Sequence, residues 1–197
     1  MGVEGAIEAI RAGQPVLLPT DTVYGLIGGA TREDHAARVY RLKGRAETQP
    51  TALLAASVDT LLEAVPELDE RIVRALLPGP YTLVLHNPAR RYRWLTGTRT
   101  QAIGVRVPEL PAESREVVET VGCVLATSAN DPGGPNPASL DDVPARIREG
   151  CAAELDLGRL PGTPSTVLDF SDGEPHVIRD GIAPAAEAIE KVRRALR

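Results

Sequence analysis

Aromatic side chains are scarce in this sequence: one tryptophan, one phenylalanine and four tyrosines, 3% of the chain. Proteins that hold RNA or single strands stack bases on aromatic rings, so the scarcity argues against a broad nucleic-acid platform. The formal net charge is −5, which excludes a wide positive field of the kind that attracts polyanions; any anion must be met by a local cluster. There are two cysteines, Cys123 and Cys151, with no C-x-x-C and no histidine at zinc spacing. They read as reduced thiols, the basis for expecting a cytoplasmic protein. No apolar run approaches the roughly 18 residues of a membrane helix, and the opening "MGVEGAIEAIRAG" lacks the apolar middle of a signal peptide, so no membrane partner is expected. A G-x-S-x-G elbow, a P-loop, repeats and low-complexity tracts are also missing, and His35, His86 and His176 stand apart.

What is present is ordinary globular material, 43% hydrophobic and 25% charged, of a length that fits one domain spanning residues 1–197 with no additional C-terminal domain. Apolar residues at helical spacing predict helices over Val3–Ala12, Asp59–Val65, Leu68–Leu77 and Pro184–Leu196. Thr31 with Asp34 resembles a capping box opening a helix through "AARVYRLK", and Ser139 with Asp142 another. Short β-rich runs bounded by Gly, Pro or Asp predict strands at Val16–Leu18, Leu26–Ala30, "TALLAA", "YTLVLH", "AIGVRV", "CVLATS", "STVLDF" and "HVIR". The fold class expected is α/β, with a mixed sheet.

Polar residues collect where these elements end, which is where open α/β sheets hold ligands. "LPTDTVYGL", Leu18 to Leu26, leaves a strand through Thr20, Asp21, Thr22 and Tyr24. "LKGR" sets Lys43 and Arg45 on either side of Gly44, just past a helix. Arg106 sits inside the apolar run "AIGVRVP", "TSAN" places Ser128 and Asn130 after a strand, and Ser165 and Arg179 flank two more. Each has a local explanation: a helix terminus favoured by its dipole for Lys43 and Arg45, a solvent-facing alternation for Arg106, turn formation for the hydroxyls and Asn130. Together, four cations and several hydroxyl or amide groups suggest a site for an anionic, hydrogen-bonding ligand such as a nucleotide.

The joint order of "LPTDTVYGL", "LKGR", "LLPGPYTLVL", "WLTG", "GVRVP", "TSAN", "PSTVLDF" and "VIRDG" resembles the YrdC family of L-threonylcarbamoyladenylate synthases over roughly Gly5 to Ala185. The resemblance implies a YrdC-like domain: a twisted mixed β-sheet with helices packed around it and a large concave cavity. It implies a nucleotidyltransferase that converts L-threonine, bicarbonate and ATP into threonylcarbamoyl-AMP and pyrophosphate. A tRNA threonylcarbamoyl-transferring enzyme complex would be its partner, and direct tRNA contact finds little support. Mg2+ would be carried with ATP, with no protein metal site.

Residue by residue, the resemblance assigns Lys43 and Arg45 to catalysis by charge neutralisation. It gives Thr22, Arg106, Ala126 and Ser165 to L-threonine, with Arg106 gripping the carboxylate through two prongs. Arg45, Gln49, Ala102, Ser128, Asn130, Asn136 and Arg179 go to ATP. The chain departs from the family pattern at Ala46 and Thr51, where relatives often carry proline, and at Leu54, where some place a histidine near threonine; Asp21 is Glu in many relatives. Two alternatives stay open at this point: a carbamoyl-adenylate enzyme with a different acceptor, and an RNA-binding module in which the basic run "RRYR" at Arg90–Arg93 docks nucleic acid.

Overall fold

The computed structural model of the protein describes residues 2–197. Nine strands form one sheet: β1 Val16–Pro19, β2 Tyr24–Gly29, β3 Ala52–Leu54, β4 Tyr81–His86, β5 Ala102–Arg106, β6 Val124–Ser128, β7 Ala153–Glu154, β8 Thr166–Asp169 and β9 His176–Arg179. Their order is β7-β1-β2-β6-β3-β5-β4-β8-β9. The sheet is mixed: β1–β7, β3–β5 and β4–β8 run parallel and the other pairs antiparallel. Seven helices surround it: α1 Val3–Arg11, α2 Glu33–Lys43, α3 Val58–Ala64, α4 Glu70–Leu76, α5 Ala112–Val121, α6 Ala145–Glu149 and α7 Ala185–Ala195.

Period-2 alternation divides the sheet's side chains between two faces. On one face Leu17, Leu26, Leu53, Leu83, Leu85, Ile103, Val105, Leu125 and Leu168 join the larger core cluster under α2, α3, α4 and α7. On the other, Val16, Leu18, Ile27, Leu54 and Val124 pack against Ala6, Ile7, Ala9 and Ile10 of α1 and against Val117 and Val118 of α5. That second cover stops part-way across. Where the same face continues over β5, β4 and β8, the outward residues are Gly104, Thr82, Val84 and Val167, and no helix lies on them.

Several sequence expectations need correction. Thr31 does not cap α2; the helix starts at Glu33 behind Arg32, and Asp34 is paired with the Arg32 guanidinium at 2.9 Å. Ser139 and Asp142 do form a capping box, but it opens only a 3-10 turn over Leu140–Asp142. Val143 and Pro144 interrupt it, since the residue before a proline is pushed out of helical conformation, and the chain restarts as α6. Helix α5 and the two-residue β7 were not expected. Cys123 and Cys151 are unpaired, and burial pushes their thiols up to about 11 and about 12. Among the described residues no helix is long and apolar enough to cross a membrane.

Candidate active site

The uncovered part of the sheet face is the floor of a cleft of about 460 Å³. Small residues make that floor: Gly25, Ala52, Ala102, Gly104 and Ala126. A Cβ at Gly104 would meet nothing closer than 3.7 Å, so the open space begins at its backbone. Four arginines line the cleft, Arg45, Arg99, Arg106 and Arg179, and no carboxylate does. In a protein of net charge −5 this is a concentrated positive site, suited to an anion that carries more than one charge.

The stretch "LPTDTVYGL" divides its labour. Thr20 shapes the turn: its Oγ1 donates to the Val23 carbonyl at 2.7 Å and accepts the Thr22 and Val23 N–H groups at 3.3 Å. Tyr24 points to the other face, where its hydroxyl donates to the Gly158 carbonyl at 2.8 Å and accepts from Leu157 N–H at 3.2 Å, pinning a distant loop. Thr22 is wholly buried in the cleft wall, and its hydroxyl donates to Asp21 Oδ1 at 3.3 Å.

Arg106 is 8% exposed, so it does not face solvent. Its Nη2 donates to Asp21 Oδ1 at 2.9 Å and reaches Thr22 Oγ1 at 3.5 Å. Burial lowers the pKa of Arg106 and raises that of Asp21, in each case against the attraction of the other's charge. Across the cleft, the Ser165 hydroxyl lies 2.9 Å from Thr82 Oγ1. Arg179 Nη2 donates to the Ser165 carbonyl at 2.8 Å and to its Oγ at 3.1 Å. Behind this wall the backbone of Gly181 is pressed against Pro164, Ser165 and Thr166 so closely that a Cβ would clash, and Ile182 N–H donates to the Pro164 carbonyl at 2.9 Å.

The two halves of the K-x-R pair part company at the end of α2. Gly44 takes a left-handed conformation (φ 68°), which lets Arg45 N–H close the helix on the Tyr40 carbonyl at 3.0 Å. Lys43 is thereby held in the last turn, while Arg45 lies beyond it and lines the cleft, its Nη2 donating to the Pro50 carbonyl at 2.6 Å. Lys43 is 4% exposed and points behind the cleft wall. Its ammonium donates to the Ser128 carbonyl at 2.6 Å, to Asn130 Oδ1 at 2.7 Å and to the Asn130 carbonyl. Three donors thus meet three acceptors, and burial followed by the nearby Arg45 charge lowers the Lys43 pKa to about 8.

Asn130 is likewise behind the wall: Oδ1 accepts from Ser128 Oγ at 2.6 Å, and Nδ2 donates to the Gly134 carbonyl at 2.7 Å. Ser128, Ala126 and Ala102 line the cleft; exposed Gln49 and half-buried Asn136 lie outside its lining. Leu54 is buried in the α1–α5 cluster, also outside the lining, whereas Thr51 lines the cleft and donates to the Ala126 carbonyl at 3.0 Å. Sequence reasoning missed Thr51, Thr82, Thr96 and Arg99. Arg99 is steered into the lining by the buried Asp169, whose Oδ2 accepts from its Nη1 at 2.6 Å. A carboxylate closing the apolar strand "STVLDF" was the visible half of that pair.

A family model described as telomere recombination, and covering Sua5, YciO and YrdC proteins, matches residues 8–181. The chain belongs to the Sua5/YciO/YrdC family. Within the family it is 33% identical over 187 residues to the threonylcarbamoyl-AMP synthase of Pyrococcus abyssi, covering 93% of this chain and 54% of that protein. The Bos taurus threonylcarbamoyl-AMP synthase is 32% identical over 196 residues, covering 92% of this chain and 68% of the relative. The crystal structure of P. abyssi Sua5 complexed with L-threonine superposes with a TM-score of 0.86 at 32% identity, over 96% of this chain and 56% of that one. The family's twisted mixed sheet is the fold found here.

Proposed function

We propose that this protein is an L-threonylcarbamoyladenylate synthase. The observation that carries the reading is the cleft, whose lining holds four arginines and no carboxylate beside a wall of threonine and serine hydroxyls. The reaction asks little proton chemistry of side chains. The threonine ammonium gives up a proton, and the resulting amine joins bicarbonate to form a carbamate, releasing water. A carbamate oxygen then attacks the α-phosphorus of ATP, the bond to the bridging oxygen breaks, and pyrophosphate leaves. The catalytic task is to hold anions together and neutralise them, which fixed arginines do well.

In this reading Thr22, Arg106, Ala126 and Ser165 receive the amino acid. Arg45, Ser128, Ala102 and Arg179 hold the nucleotide, and Lys43 and Asn130 fix the wall that carries Ser128. Mg2+ enters with ATP as part of the substrate, since the cleft lining offers it no carboxylate. The product passes, in the cytoplasm, to a tRNA-modifying enzyme complex. Within the "RRYR" run, Arg91 pairs with Glu67 at 2.8 Å, and Tyr92 packs on the core with its ring 6.2 Å from that of Trp94, so the run's one aromatic is engaged within the protein.

The test is pyrophosphate release by the purified protein. Release requiring L-threonine and bicarbonate together is the expected result. Equal release with glycine, or with no amino acid, removes the threonine assignment.

A further inference from the structure

Of the polar side chains in "LPTDTVYGL", Thr20 shapes the turn, Thr22 meets the ligand and Tyr24 pins a loop, which leaves Asp21 without a task, and it is costly to bury. Its side chain and that of Arg106 are each only 10% exposed. One of its oxygens, Oδ1, accepts from Arg106 Nη2 at 2.9 Å and from Thr22 Oγ1 at 3.3 Å. Those two side chains come from separate elements, Thr22 from the β1–β2 turn and Arg106 from β5. Asp21 itself is outside the lining that a ligand would touch. A buried carboxylate set behind an arginine fixes the plane and rotamer of the guanidinium, because the planar fork has few orientations that keep the pair hydrogen-bonded.

We propose that Asp21 is a positioning residue for the amino-acid end of the cleft: it holds Arg106 and Thr22 in one geometry and leaves Nη1 as the guanidinium end that faces an incoming carboxylate. All side-chain hydrogen bonds of Arg106 run from Nη2. The grip on the ligand carboxylate is therefore made chiefly by Nη1, and the two-pronged contact expected from the sequence is shared with Asp21. The pairing also cancels one of the cleft's four positive charges locally, as Asp169 does for Arg99; Arg45 and Arg179 have no ion pair among the described residues, so this end suits a ligand with one carboxylate and the other end a polyphosphate. The inference rests on the amino-acid assignment of this end.

The experiment has two arms. In the first, the Nη2–Hη2 resonances of Arg106, the group that meets Asp21, are followed by NMR in the ligand-free protein, where slow hydrogen exchange is expected and is lost in Asp21→Asn; unchanged exchange in Asp21→Asn overturns the proposal. This arm decides the matter even if the protein binds no threonine, a result that would count against the proposed function instead. In the second, threonine and ATP are titrated separately into the wild type, Asp21→Asn, Asp21→Glu, Arg106→Gln and the Asp21→Asn/Arg106→Gln double variant. Asp21→Asn is expected to weaken threonine at least about tenfold and ATP less than about threefold, with Asp21→Glu recovering most of the loss. Asp21→Asn leaves Arg106 buried and unpaired, and should it fail to fold, the double variant, which removes both charges, carries the test. A double variant no weaker for threonine than Arg106→Gln alone supports action through Arg106. Losses that multiply, or equal weakening of ATP and threonine, overturn it.

Discussion

Two halves of one sheet face meet different fates in this protein. Over β1, β2 and β6 the outward residues are Val16, Leu18, Ile27 and Val124, and two helices cover them. Over β5, β4 and β8 they are Gly104, Thr82, Val84 and Val167, and nothing covers them. The strands are hydrogen-bonded into one sheet throughout. Side-chain size carries much of the difference: the adjoining branched aliphatics of the covered half are worth about 1.5–3 kcal/mol each on burial, whereas in the open half Val84 and Val167 are set among Gly104, Ala52, Ala102 and Ala126, which offer a helix little to bury and leave room for a ligand. A binding site here is a stretch of sheet that declines to build a core.

Filling the open half breaks the comparison most severely. Gly104→Leu places a side chain on the cleft floor without strain, since Gly104 has no positive φ. It is expected to weaken both ATP and threonine by at least about 1,000-fold, roughly 4 kcal/mol, with the melting temperature nearly unchanged. Calorimetric titration and a thermal melt read the two quantities, and tight binding by this variant would place the site elsewhere. Thinning the cover of the packed half does the reverse. Ile10→Ala, on the buried face of α1, should cost about 2–4 kcal/mol in denaturant unfolding while leaving ligand affinity within a few-fold in the folded protein.

A third prediction concerns the wall between the nucleotide and the core, where Lys43 has a pKa of about 8, below the ordinary lysine range. Between there and roughly pH 10.4 the unfolded chain binds the extra proton, so Lys43 makes stability rise with pH over this window, by at most about 3 kcal/mol. Site affinity should move the opposite way. A neutral amine has two hydrogens for three acceptors, so the Ser128–Asn130 turn loosens and ATP binding weakens above about pH 8. Both trends, read as differences from Lys43→Met, should be absent in that variant. Parallel curves for the two proteins would remove Lys43 from the account.

The smallest effect sharpens the comparison. ATP should slow amide exchange several-fold in residues 131–137, the loop tied to the site through Asn130 Nδ2 and the Gly134 carbonyl, and leave α1 and α5 unchanged. Equal slowing in α1 would mean global stabilisation by ligand instead of a local cover.

Much of this contrast was legible in the sequence. "AIGVRV" and "CVLATS" read as strands from their branched residues, and Arg106 stood out as a charge in an apolar run. Its burial did not, because alternation alone fits a solvent-facing arginine as well as a buried one. Lys43 and Arg45 looked equivalent at spacing two. Only the left-handed turn at Gly44 separates a lysine that braces the wall from an arginine that lines the cleft. Helix α5 was hidden because its buried apolar side chains, Val117 and Val118, are β-branched and few. Arg99 was hidden because its partner Asp169 lies 70 residues away in the chain.

The contact behind Ser165 has a consequence for how variation in this protein should be interpreted. Gly181 touches no part of the cleft, yet any side chain there must push Pro164 to Thr166 forward into it. A mutational survey scored by activity would therefore rank position 181 beside the arginines. A map drawn from such scores would mark as ligand contact what is in fact a spacer, one whose only permitted size is zero.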